Sequence, residues 1–168
     1  MTADDVLHVV RIVDAAGVAV WLDGGWGIDA LLGAQFRLHE DLDVVVRLTD
    51  VDAMTAALDV FGYVVVEDEL PTRLVLRTST GLQLDVHPVT FDATGTAWQA
   101  GALPDGGDCE YPSDGFVDGT VAGTTVGCLS AEVQLAHHLG YPPRSHDHED
   151  MERLAHHLGL ALPPPYAP

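Results

Sequence analysis

Lysine is absent from this 168-residue chain, and its only strongly basic side chains are arginines, 7 against 26 Asp and Glu, for a formal charge of −19. A field so one-sided opposes non-specific binding to DNA, RNA or anionic lipid, because the phosphate contacts that dominate such binding need Lys and Arg. Cysteine is nearly missing too. Two in a chain of this length build no disulfide framework, which points to a reducing cytoplasm. No apolar run reaches the roughly 18 residues of a membrane span, and MTADDVLHVVR lacks the basic-then-apolar pattern of a secretory leader. Repeats and low-complexity tracts are also lacking. What is abundant is apolar side chain: a hydrophobic content of 47% with 20% charged residues describes a globular protein of one domain or two small ones. The acidity either attracts cations, metal ions or a small molecule carrying amines, or serves only solubility.

Hydrophobic spacing predicts the elements. Val6, Val9, Val10, Ile12 and Val13 recur at helical period over 3–16, with Thr2 and Asp5 as a cap and Gly17 as a stop. Val18 to Leu22 reads as a buried strand ended by Asp23-Gly24-Gly25, and a helix is expected from Trp26 to Leu32. Strand 42–46, helix 51–61 and strands 63–67, 73–77 and 82–86 follow. Residues 90–114 are rich in Gly, Asp and Pro without periodicity and read as a long loop. A hairpin (116–121, 124–128) and two helices (131–139, 147–158) come next, before a Pro163-Pro164-Pro165 tail. The alternation up to residue 90 indicates an α/β layer with a mixed sheet.

The densest chemistry lies in Asp23-Gly24-Gly25-Trp26-Gly27 and in the stretch from Arg37 to Asp43. A strand that ends in Gly-Gly and feeds a helix leaves backbone N–H groups free and lets a phosphate approach the main chain. Asp41 and Asp43, at i and i+2 on a strand, project from one face about 6.6 Å apart. Two such carboxylates suit Mg²⁺, a hard cation that fills its octahedron with water and substrate phosphate; the plainer reading is a solvated strand edge. Gln83, Asp85 and His87 alternate onto one face of a later strand, so Asp85 is a further metal ligand or a general base if the two strands adjoin. His87 serves equally as a structural histidine. The clustered C-terminal histidines match no zinc-binding spacing, and Cys109 and Cys128 read as free thiols.

Taken together, LDGGWGIDALLG, RLHEDLDVVV, LDVHPV and CLSAEVQLAHHLGYPPRSHDHEDMERL resemble the small lincosamide nucleotidyltransferases and, more distantly, the aminoglycoside 2″-nucleotidyltransferases, over about residues 5–158. The resemblance implies an α/β (α+β) fold: a nucleotidyltransferase-like mixed sheet flanked by helices, with a small helical C-terminal part. Residues 1–90 would form the catalytic core, and 91–168 the acceptor-side loop, hairpin and helices of the same compact unit. The implied reaction moves a nucleoside monophosphate, from ATP or another nucleoside triphosphate, onto a hydroxyl of an amine-bearing antibiotic, lincosamide-like or aminoglycoside-like, and releases pyrophosphate. Asp41, Asp43 and Asp85 then fall on the Mg²⁺-binding and catalytic carboxylates, Asp85 as the base. Gly24, Gly25, Arg37, His39 and Arg73 fall on the nucleotide side. His87, Trp98, Tyr111 and Glu132 are assigned to the acceptor. Such an enzyme would work as a monomer or homodimer, away from nucleic acid and membrane. The rival reading is a nucleotidyltransferase-like module that binds a small molecule or a protein and has lost catalysis.

Overall fold

Thr2 opens the chain with a reciprocal cap: Asp5 N–H donates to its Oγ1 at 3.3 Å, and its own N–H donates to Asp5 Oδ2 at 2.8 Å. This starts helix α1 (Ala3–Ala15), whose Val6, Leu7, Val9, Ile12 and Val13 are buried. The computed structural model describes residues 1–139, 142–159 and 161–167, so Gly140 and Tyr141 of the fourth sequence block lie outside the described residues. After α1 come β1 (Val20–Asp23), α2 (Gly24–Leu32), β2 (Asp41–Arg47), a 3-10 turn (Leu48–Asp50) and α3 (Val51–Asp59). Then follow β3 (Val64–Glu69), β4 (Arg73–Arg77), β5 (Gln83–Phe91), β6 (Ala97–Gln99), β7 (Cys109–Tyr111), β8 (Phe116–Val121), β9 (Thr124–Leu129), α4 (Ala131–His137) and α5 (Ser145–Leu158).

The described strands form one open nine-stranded sheet running β3-β4-β5-β2-β1-β9-β8, with β6 and β7 added at the far end of β5. It is mixed, as the α/β alternation implies: β2 pairs parallel with β5 and β1 with β9, and the remaining pairs are antiparallel. Alternation along β2 divides the core. Leu42, Val44 and Val46 pack with Val9, Val13, Met54 and Leu58 of α1 and α3. Val45 faces the other way, into a cluster with Val89, Ala97, Tyr111, Leu129 and Val133. A third cluster, with Ile28, Met151, Leu154 and Tyr166, fastens α5 and the chain end onto α2.

Two expectations change. Residues 90–114 are not one loop: β5 continues to Phe91 and pairs with β6, which pairs with β7. Three-residue strands are too short to display a period. Helix α2 starts at Gly24, not Trp26; Asp23 is its extended N-cap, and the glycines form its first turn.

Candidate active site

Residues directly opposite in a sheet share a face, and the register of β1, β2 and β5 uses that rule three times. Asp23 pairs with Asp43, and Asp43 with Asp85, so three aspartates stand in a row across adjoining strands on the face away from α1 and α3. Asp41 lies two residues earlier on the same face. On β4, Val75 pairs with Asp85, which brings Arg73 to that face as well. Its guanidinium holds the carboxylate through Nε (2.8 Å to Oδ1) and Nη2 (2.6 Å to Oδ2), and Nη1 donates to Glu67 Oε2 at 2.9 Å. These bonds raise the Arg73 pKa, with Asp85 the main cause.

Burial pushes the Asp41 pKa above the ordinary carboxylate value, and the charges of Asp43 and Asp85 push it further. Mutual repulsion of this kind is what a bound cation relieves. The donors are hard oxygens, so Asp41 and Asp43 fit a divalent cation such as Mg²⁺. Among the described residues no three His, Cys, Asp or Glu side chains converge into a ready cation cage; Asp85 is turned onto Arg73 instead.

His87, two residues beyond Asp85, sets Nε2 3.4 Å from Asp43 Oδ1. Its other nitrogen meets buried Gln99, whose amide orientation is fixed from two sides. A carbonyl can only accept, so the group 2.7 Å from Thr72 O is Nε2; Oε1 accepts from Tyr111 Oη at 2.7 Å. The same Nε2 lies 3.2 Å from His87 Nδ1, which leaves the ring proton on Nε2, facing Asp43. Burial lowers the His87 pKa, but the hydrogen bond and charge of Asp43, with the charges of Asp23 and Asp85, raise it on balance.

At the end of the row, Asp23 caps its neighbour, Gly24 N–H donating to Oδ1 at 2.7 Å, and pairs with His137 Nδ1 at 3.5 Å. Burial alone would raise the Asp23 pKa; the His137 hydrogen bond and charge, His87 and the Gly24 amide bring it below the usual value. The same pair works on His137: burial lowers its pKa, and Asp23 and Cys109 lift it to about 10.

Two glycines bring the backbone to this row. Gly24 has φ +56, and a Cβ there would sit 2.5 Å from Asp43 Oδ2; at Gly25 it would sit 2.3 Å from His39 Nδ1 and 2.5 Å from Arg37 Nη2. Arg37 and His39 therefore back the turn. Arg37 is held there by Asp150 of α5, with Nε and Nη2 at 2.9 and 2.8 Å from Oδ2. Buried His39 meets Asp29 of α2 at 2.5 Å.

Among the residues expected on the acceptor side, His87 joins the acid row. Tyr111 is 2% exposed and belongs to the core, its ring against His137. Trp98 is half-exposed, its indole N–H directed to Asp92 Oδ2 across the β5–β6 turn, and Glu132 is exposed in the first turn of α4. Sequence reasoning missed three members of the site. Asp23 reads as a turn opener, although its parity with Trp21 placed it on a sheet face. Gln99 lies in a stretch without period, and His137 was lost among other histidines.

A carboxylate row on a mixed sheet, beside a helix begun by two glycines, is the layout of the nucleotidyltransferase fold, and solved structures agree. The lincomycin-bound lincosamide antibiotic adenylyltransferase LnuA matches with a TM-score of 0.81 and 30% identity, over 92% of this chain and 96% of that one. ANT(2'')-Ia in complex with adenylyl-2''-tobramycin shares the fold, with a TM-score of 0.75 at 22% identity over 94% of this chain and 89% of that one. The chain belongs to the aminoglycoside-2''-adenylyltransferase family, whose profile matches residues 5–154. A lincosamide resistance protein of Staphylococcus haemolyticus is 30% identical over 154 residues, 92% of this chain and 94% of that protein. A 2''-aminoglycoside nucleotidyltransferase of Escherichia coli is 27% identical over 133 residues, 79% of this chain and 70% of that protein.

Proposed function

We propose that this protein transfers AMP from ATP onto a hydroxyl of an amine-bearing antibiotic, lincosamide-like or aminoglycoside-like, releasing pyrophosphate and conferring resistance. The observation that carries the reading is the register that sets Asp43 beside Asp85 with Asp41 on the same face, next to the Gly24-Gly25 turn. Residues 1–90 supply the donor side and 91–168 the acceptor side. The triphosphate lies on the first turn of α2, where the N–H groups beyond Gly24, which Asp23 caps, point out of the helix end and glycine permits close approach, with Arg37 and His39 behind it and Arg73 across the row. Asp41 and Asp43 would hold Mg²⁺, with Asp85 as a further ligand on its side of the row; the ion, when bound, neutralises phosphate charge.

Asp85 takes the proton of the acceptor hydroxyl, whose oxygen attacks the α-phosphorus in line with the departing pyrophosphate. Arg73 leaves it able to do so: Oδ2 accepts from both Nη2 and Nε, at 2.6 and 3.1 Å, whereas Oδ1 accepts from Nε alone and keeps a second lone pair. His87 and Glu132 face the acceptor, and Tyr111 supports that side through Gln99; Trp98, opposite Thr90 on β5, projects from the other face of the sheet and is not assigned to the acceptor. The enzyme acts in the cytoplasm, as a monomer or homodimer; among the described residues both cysteines are free and no helix is long and apolar enough to cross a membrane.

Asp43→Asn and Asp85→Asn test the assignment. Each is expected to lower turnover by at least about 100-fold, the lower range for a positioned acid–base group, with the melting temperature within a few degrees of wild type. Unchanged turnover in either folded variant contradicts the role given to that residue.

A further inference from the structure

Cys109 on β7 places Sγ 3.6 Å from Nε2 of His137 on α4, and Nδ1 of the same ring faces Asp23 Oδ2 at 3.5 Å. Three separate elements thus align a thiol, an imidazole and a carboxylate in the order nucleophile, base, orienter. The imidazole is fixed on a further side by Tyr111, edge-to-face with ring centroids 4.6 Å apart, and Asp23 is anchored by the Gly24 amide. Cys109 is partly exposed. Cys128 offers the contrast within one molecule: it is wholly buried, and burial first, with the charge of Asp118, pushes its thiol up to about 12. The lifted His137 pKa, about 10, keeps a positive ring beside the Cys109 sulfur at neutral pH.

We propose that Cys109 is a thiol-modification site, activated by His137 and Asp23 toward soft electrophiles and small disulfides, and that loading it disturbs the neighbouring acid row. In reaction with a disulfide, Sγ forms a new S–S bond as the old one breaks. The departing thiolate takes up the proton that Cys109 has given to His137. With iodoacetamide, Sγ forms an S–C bond and iodide leaves with the electron pair, the thiol proton remaining on His137. The connection to the row is direct, because Asp23, which orients His137, is the strand partner of Asp43.

The labelling test uses the full chain, iodoacetamide at pH 7 and peptide mass spectrometry. Cys109 is expected to react about tenfold or more faster than the thiol of N-acetylcysteine, as a thiol within reach of an oriented imidazole does, while Cys128 stays unlabelled. His137→Gln is expected to return Cys109 to the free-thiol rate. A wild-type rate no faster than N-acetylcysteine overturns the proposal without any variant, and an unchanged rate in folded His137→Gln overturns the activation. The effect on the acid row rests on the nucleotidyl-transfer reading, so transfer is measured separately after treatment with glutathione disulfide. Wild type is expected to lose transfer as Cys109 is loaded, and Cys109→Ser to keep it. Full transfer from loaded wild type, or equal loss from treated Cys109→Ser, overturns that effect while the labelling result stands.

Discussion

Asp41 shows what one residue gives up for a site. Its pKa is raised by burial and by two neighbouring carboxylates, so its charged form is worse off in the fold than in the unfolded chain. A carboxylate with a raised folded pKa supports the fold below its unfolded pKa of 3.8 and loses that support as pH rises through the higher value. Asp41→Asn is therefore expected to melt at the wild-type temperature or above it at pH 7 while losing transfer. A variant that melts lower and keeps turnover contradicts both halves. Arg37 makes the opposite case. Its partner Asp150 is 3% exposed, so Arg37→Gln leaves a buried carboxylate with only the longer contact to Arg153 Nη1, at 3.5 Å from Oδ1. We expect a loss of roughly 1–3 kcal/mol in urea unfolding, less than for a fully broken buried pair because Arg153 stays beside Asp150 and Arg37 keeps some solvent.

At the scale of elements, the start of α2 and the contact of α4 with β1 decide whether the site forms. Gly25→Ala would drive a methyl into His39 and Arg37, of which the first is buried. The variant is expected to weaken ATP affinity by about tenfold or more, a shift of about 1.4 kcal/mol, read by isothermal titration; unaltered affinity would remove the turn from the donor site. The His137–Asp23 pair joins α4 to β1 and gives stability a pH signature. Because the folded His137 pKa is raised from 6.5 to about 10, its contribution is complete below pH 6.5 and disappears as pH climbs to about 10. Asp23, held low, contributes above 3.8 and loses that as pH falls below it. Wild type should thus lose melting temperature between pH 7 and 10, and His137→Gln should show a flatter profile that meets it near pH 10. Parallel profiles contradict the pairing. These elements also show what was legible beforehand. Alternation on β2 and β5 put Asp41, Asp43 and Asp85 on consistent faces, and the Thr2 cap and Gly17 stop bounded α1, because period and capping are local. The partners of Arg37 and Arg73 were not legible: Asp150 is 113 residues from Arg37, and no local pattern encodes such a meeting. Gln99 and Cys109 stand on strands of three residues, too short to announce themselves.

For the whole molecule, the charge of −19 runs against a polyanionic donor and in favour of a cationic acceptor. The donor depends on local devices, the α2 amides, a divalent cation and a few arginines, whereas an ammonium-bearing acceptor is drawn by the field itself. Acceptor affinity should then fall several-fold between about 50 and 500 mM salt, as screening shortens the Debye length; a flat response would mean that the acidity serves solubility alone. The central claim is chemical. The most direct measurement incubates the protein with Mg²⁺, ATP and, in turn, lincosamides and aminoglycosides, and follows pyrophosphate together with the mass of the acceptor. The account predicts pyrophosphate release matched by an acceptor heavier by one AMP, with both lost in Asp43→Asn. Tight binding of the antibiotic with neither product would contradict it and identify a binding module on a nucleotidyltransferase fold.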